Sequence, residues 1–207
     1  VQDSTVDDIA AKIEAGGKVA FLLEHHAVDP QALALASKIS VKTGCRLFTG
    51  TFPARIDGGP GNPEVERLPY FPEQILQTLH GLDHLVLVGG EIPASFFAYQ
   101  GIPGQLVPEG CQVSRLTRVE EDAIDALTRL AERLGAQNEA VKTFERRETP
   151  RPTGELETKT IIQAVAATMP EGLIVATDSG GGNAAHGFCQ NSAANSWLAL
   201  TGGAIGQ

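Results

Sequence analysis

The 207 residues are 42% hydrophobic with a mean hydropathy near zero, enough for one large domain or for one domain and part of another. Net charge is −9, from 16 basic and 25 acidic residues, and Arg146-Arg147 is an isolated basic pair. A nucleic-acid partner would need a concentrated positive field, and an inserted membrane span would need an apolar run of roughly 18 residues; neither is present.

No signal peptide opens the chain, so secretion finds no support. Cys45, Cys111 and Cys189 are far apart and lack metal-type spacing, which fits a reduced, cytoplasmic protein.

In chain order, Val6, Ile9, Ala10 and Ile13 have helical spacing within 3–15, and Gly16-Gly17 ends that helix. Residues 18–24 form a continuous apolar run, the pattern of a strand buried on both faces. Asp29-Pro30 opens a second helix with Asp at the N-cap and Pro at the first helical position; Ala32, Leu33, Leu35, Ala36 and Ile39 follow. Residues 45–49 predict a second strand, and 52–72 a loop rich in Gly and Pro.

A short helix at 73–79 precedes a third strand at 84–90 that ends in Gly89-Gly90. Weaker strand signals lie at 105–107 and 112–116, and a long amphipathic helix is predicted over 117–134, closed by Gly135. This alternation predicts an α/β fold: a parallel sheet with flanking helices, its ligands held outside the carboxyl ends of the strands.

Residues 137–157 are dense in charge, carry Pro150 and Pro152, and read as a linker between a domain at 1–136 and a second at 158–207. There, Ile161, Ile162, Val165 and Ala166 predict a helix face within 158–169, and 173–177 a buried strand. Asp178-Ser179-Gly180-Gly181-Gly182-Asn183 stands at the strand's carboxyl end, before a helix expected near Asn183 or Ala184. The second α/β domain is expected to be incomplete. The chain opens on Val1-Gln2-Asp3 and closes on Thr201-Gly202-Gly203-Ala204-Ile205-Gly206-Gln207, a backbone-approach segment that reads as half of a binding site.

Each candidate site has a plainer alternative. The 178–183 turn suits phosphate oxygens on backbone N–H groups, or is only a tight strand-to-helix turn. Ser179 resembles a protease nucleophile, but an α/β setting with His186 only seven residues downstream disfavours a serine hydrolase. His25-His26 point in diverging directions and suit a solvated loop better than a metal. His80 and His84 are separated by Gly81, which favours capping or surface roles. Gly89-Gly90 could admit a dinucleotide but lacks the full glycine fingerprint. Cys45 suits the core, and Cys189 has no basic neighbour to make it a thiolate.

The segment from Gly172-Leu173-Ile174-Val175-Ala176-Thr177-Asp178-Ser179-Gly180, through Ser196-Trp197, to Thr201-Gly202-Gly203-Ala204-Ile205-Gly206 resembles the thiamine-diphosphate-dependent enzymes related to acetolactate synthase and benzoylformate decarboxylase. Residues 44–49 and 82–89 look like that family's central domain. The resemblance implies that Gly180, Gly181 and Gly182 hold the cofactor diphosphate. It implies that the Gly203 carbonyl accepts from the aminopyrimidine, and that Ile205 wedges between the two cofactor rings. The bound thiazolium would act as electron sink for a 2-keto acid. By the same resemblance, the magnesium ligands and the catalytic glutamate lie outside these residues.

The isolated chain is therefore expected to be inactive, with no catalytic or metal residue of its own, and its parent to be a dimer or tetramer. Two departures stand out. Gly181-Gly182-Asn183 replaces a Gly-x-His-Gln common in acetolactate synthases, and Glu24-His25-His26 stands where many relatives have glycines. FAD is thus possible but not favoured. The alternative reading is a flavin- or nucleotide-binding structural module working through Gly89-Gly90, without catalysis.

Overall fold

The computed structural model describes residues 1–178 and 180–200, with the backbone alone for 180–184. The residues separate into two compact units, one of 1–51 with 65–142 and one of 52–64 with 143–207.

The first unit is built on a five-stranded sheet in the order β4-β2-β1-β5-β6: β1 (Val19–Leu23), β2 (Arg46–Thr49), β4 (Glu66–Arg67), β5 (His84–Val88) and β6 (Gln112–Thr117). Every pairing is parallel, with β1 central between β2 and β5. All five residues of β1 and of β5 are buried, which explains why β1 is apolar throughout and β5 is apolar after His84. Side chains alternate between faces. Ala20, Leu22, Phe48, Leu85 and Leu87 share one core cluster with Ile75 of α3 (Pro72–Thr78) and with Leu68, Leu79, Leu82 and Leu106.

Three further helices complete this unit: α1 (Asp3–Glu14), α2 (Pro30–Thr43) and α4 (Ala123–Arg133). They pack on one another, α2 and α1 both meeting α4. Their buried stripes are Val6, Ile9, Ala10 and Ile13; Ala32, Leu33, Ala36 and Ile39; and Ala126, Leu127 and Leu130. The Asp29 carboxylate accepts from the Gln31 N–H at 2.9 Å and fixes the start of α2, as its sequence predicted.

Three local expectations need correction. The helix expected from 117 begins at Ala123, because Thr117 still belongs to β6 and Asp122 caps the helix by accepting from the Asp125 N–H at 3.0 Å. The strand expected at 105–107 is one isolated bridge, Ala94 to Gln105. His84 is neither a cap nor a surface residue: it opens β5, is 5% exposed, and neither ring nitrogen has a partner.

In the second unit, β3 (Arg55–Gly58), β7 (Leu173–Ala176) and β8 (Asn195–Leu198) form a sheet in the order β3-β8-β7. β7 runs parallel to β8, whereas β3 is antiparallel to it. Strands β3 and β4 both fall inside the expected 52–72 loop; four-residue and two-residue strands flanked by Gly and Pro are too short to show a period. Helices α5 (Thr158–Thr168) and α6 (Gly180–Cys189) pack together. On α5, Ile162 and Ala166 are buried while Ile161 and Val165 are exposed, so the stripe is narrower than expected. β7 alternates half-buried and exposed residues, and Ile174 is 66% exposed, because the strand lies at the sheet edge among the described residues. No helix or strand occupies 137–157.

Burial holds the His84 imidazole below its ordinary value of 6.5, helped by the nearby Lys12 charge and opposed by Asp8. A neutral buried histidine binds a proton more readily when unfolded. Its contribution is present above pH 6.5 and is lost as pH falls through the lowered value. Replacing His84 with Leu is expected to flatten that acid-side loss, read as urea midpoints between pH 5 and 8; an unchanged pH profile would refute this assignment.

Candidate functional site

The second unit sets the start of α6 and the carboxyl end of β8 at one sheet edge. β7 and β8 are parallel and in register from Leu173↔Asn195 to Ala176↔Leu198, so their carboxyl ends emerge side by side. The Thr177 N–H donates to the Leu198 carbonyl at 3.0 Å just beyond them. From β7 the chain passes through exposed Asp178 into α6; from β8 it passes through Ala199 and Leu200 toward the closing segment. Gly203 and Ile205 themselves, and Ser179, lie outside the described residues.

Gly180, Gly181 and Gly182 form the first turn of α6, so the helix starts earlier than expected at Asn183 or Ala184. Glycine is a poor helix former, but the first four N–H groups of a helix have no intrahelical acceptor. Here those groups belong to residues without side chains, at the positive end of a ten-residue helix, at the carboxyl end of a parallel strand. This donor set fits a diphosphate: several backbone N–H groups, a favourable dipole, and no Cβ to keep oxygens away.

The edge is braced from within its own unit. His186 of α6 is buried and meets Trp197 of β8 edge to face, with ring centroids 5.6 Å apart. At the amino ends, the Gly172 N–H donates to the Ala194 carbonyl at 2.7 Å, and the Ala194 N–H to the Glu171 carboxylate at 2.8 Å. That hydrogen bond, followed by the Arg146 ion pair, holds Glu171 below the ordinary carboxylate range. On β3, Asp57 accepts from Ser196 Oγ at 2.5 Å and pairs with Arg55 at 3.1 Å. Cys189 is fully buried, and desolvation raises its thiol to about 11, so it is no thiolate nucleophile.

The carboxyl edge of the five-stranded sheet has a different chemistry. Glu24 follows β1, Gly50 follows β2, and Gly89-Gly90 follow β5. A methyl group on Gly50 would overlap Glu24 Oε1, and one on Gly90 would overlap Glu24 Oε2. The Glu24 carboxylate therefore spans the ends of three adjacent strands. Gly89 has φ +75°, and a Cβ there would lie 2.6 Å from the Glu24 carbonyl oxygen. His25 and His26 are exposed in a short 3₁₀ turn, His25–Val28, as expected for loop histidines.

Arg67, at the end of β4, donates through Nε to the Thr51 carbonyl at 2.7 Å, while both terminal nitrogens are buried without a partner. Burial lowers its guanidinium to about 10. Arg67 did not stand out in the sequence, and Glu24 did so only within Glu24-His25-His26, which stands where many relatives have glycines. The available signal was a charge directly after an apolar strand, where the carboxyl edge must fall.

Burial raises the Glu24 carboxyl above its ordinary 4.5; the Glu91 N–H and the His25 charge oppose the rise, and the Glu91 carboxylate adds to it. The folded state therefore holds this proton more tightly than the unfolded one. Stability from this group is greatest below pH 4.5 and declines as pH rises through the raised value. Glu24→Gln is expected to unfold at higher urea than the parent at pH 7, the gap closing at acid pH. A gap that stays constant with pH would refute it.

No family model matches the chain. It is 38% identical over 202 residues to the candidate acetolactate synthase large subunit IlvX of Mycobacterium tuberculosis (strain ATCC 25618 / H37Rv), covering 97% of the chain and 39% of IlvX. Among solved structures, a candidate thiamin diphosphate-dependent enzyme from Mycobacterium smegmatis matches with a TM-score of 0.67 at 19% identity, over 98% of this chain and 42% of that one. A thiamine diphosphate-dependent 4-hydroxybenzoylformate decarboxylase of Rhodococcus jostii RHA1 matches with a TM-score of 0.64 at 17% identity, over 98% and 41%. Benzoylformate decarboxylase from Polynucleobacter necessarius matches with a TM-score of 0.57 at 14% identity, over 98% and 41%. The chain thus spans about two fifths of the length of the relatives it matches. By sequence the chain is similar to an acetolactate synthase large subunit-like protein, and by fold to thiamine-diphosphate-dependent enzymes.

Proposed function

We propose that the chain is the central part of a thiamine-diphosphate-dependent 2-keto-acid carboligase or decarboxylase, most like an acetolactate synthase large subunit. Its role there is to supply one side of the cofactor clamp. The observation that carries this reading is the start of α6, where three glycines open a helix at the carboxyl end of β7. β8 runs alongside and ends at Leu198 on the same edge, with Ala199 and Leu200 leading on to Thr201.

In this reading Gly180, Gly181 and Gly182 offer backbone N–H groups to the diphosphate, and the helix dipole favours its charge. Gly203 and Ile205 orient the ring system, as the resemblance implies. When bound, thiamine diphosphate supplies the electron sink for loss of carbon dioxide from a 2-keto acid. Mg²⁺ and the proton-donating glutamate are supplied by parts of the enzyme outside this chain, which works as a cytoplasmic dimer or tetramer. The first unit corresponds to the central domain, residues 137–157 to the connection, and 158–207 to the start of the diphosphate-binding domain.

Two measurements test this. Calorimetric titration of thiamine diphosphate with Mg²⁺ into the isolated 207-residue chain is expected to show no saturable tight binding. Tight binding would overturn the view that the clamp needs its other side. In the longer polypeptide, 2-keto-acid decarboxylation is expected to depend on added thiamine diphosphate. There, Gly181→Val should raise the half-saturating cofactor concentration at least ~10-fold, a loss of about 1.4 kcal/mol. An unchanged requirement would remove α6 from the site.

A further inference from the structure

The five-stranded sheet has a topological switch point. From central β1 the chain moves to β2 and then β4 on one side, and after α3 it returns to β5 and β6 on the other. Open parallel sheets bind ligands in the crevice at that point, outside the strand carboxyl ends. Nucleotides bound there rest their phosphates on glycine backbones, where the absence of Cβ allows close approach. Gly50 and Gly89-Gly90 provide such backbones here, at the ends of the two strands flanking β1.

The space they leave is taken. One Glu24 carboxylate oxygen lies against Gly50 and the other against Gly90, and a Cβ on Gly90 would also be 2.8 Å from the Glu24 Cβ and Cδ. The Glu91 backbone N–H already donates to this carboxylate. The group is fixed at its base as well, since the Glu24 N–H donates to the Val88 carbonyl at 3.0 Å and its carbonyl accepts from the Ala27 N–H at 2.9 Å. An incoming phosphate would therefore meet filled volume, like charge and a donor already in use.

We infer that Glu24 is a resident plug of this crevice, holding by volume and charge the place of an anionic nucleotide or flavin, so that the sheet is closed to both. The glycines at the edge then serve the carboxylate of the chain itself. Shortening residue 24 reopens the crevice, leaving the Gly50, Gly89 and Gly90 backbones and the unpartnered terminal nitrogens of Arg67 on the same sheet edge.

The test compares the parent chain with Glu24→Gly and Glu24→Ala, the second guarding against the added backbone freedom of glycine. FAD binding is followed by flavin fluorescence quenching and ADP binding by calorimetry, after circular dichroism and cooperative melting confirm folding. The parent chain is expected to show no saturation by either ligand up to about 1 mM. At least one shortened variant is expected to bind ADP or FAD saturably, at least tenfold below that limit. Saturable binding of either ligand by the parent chain would overturn the proposal, whatever the variants do. So would folded variants that remain as closed as the parent.

Discussion

Parallel backbone pairing is the constraint on which the rest depends. Parallel strands put every carboxyl end on one edge, and the connections between them must cross a face as helices. In the first unit, pairing of β1 with β2 and β5 therefore collects Glu24, Gly50 and Gly89-Gly90, residues distant in sequence, within one small region. In the second unit, pairing of β7 with β8 does the same for the start of α6 and the exit toward Thr201. No side chain chooses these neighbours; the ladder register does.

The two edges then diverge in sign. That of the second unit presents a helix N-terminus with glycines in its first turn, the positive end of a helix dipole. That of the first presents a half-buried carboxylate wedged between glycines, a negative group that excludes an anion. The same α/β geometry thus serves opposite electrostatic purposes, and the difference rests on which residue follows the strand. After β7 come small residues and a helix; after β1 comes a glutamate. A relative's fold alone does not transfer a ligand site to such an edge.

Much of the first unit could be read from the sequence because its signals are local and strong. β1 is apolar over its whole length and β5 after His84, and Asp29-Pro30 marks the start of α2 unambiguously. What escaped was set by distant partners. Arg55–Gly58 is a strand only because β8 pairs with it, Asp57 meeting Ser196 from 139 residues away, and no periodicity over four residues could announce that. The α6 start was displaced because glycine argues against a helix interior, while the first turn needs no intrahelical N–H partner. His84 looked like a junction residue because Gly81 broke the pattern before it, yet strand pairing carries it into the core. The chain order placed Gly180–Gly182 just after β7, whereas only Cβ geometry showed the Glu24 carboxylate seated against Gly50 and Gly90.

The Glu24 arrangement also shows why an apolar plug would not be equivalent. Gly50 and Gly90 leave a narrow slot bordered by backbone, and the Glu91 N–H points into it. A leucine there would fill volume but leave that N–H without an acceptor, a cost of roughly 1–3 kcal/mol when buried. A carboxylate satisfies the donor and gains from the His25 charge, at the expense of desolvation that raises its proton affinity. Its negative charge adds what volume cannot: repulsion of a phosphate over distances where shape has no effect. The slot therefore selects a small, planar, hydrogen-bond-accepting anion, and the nearest group of that kind belongs to the chain itself.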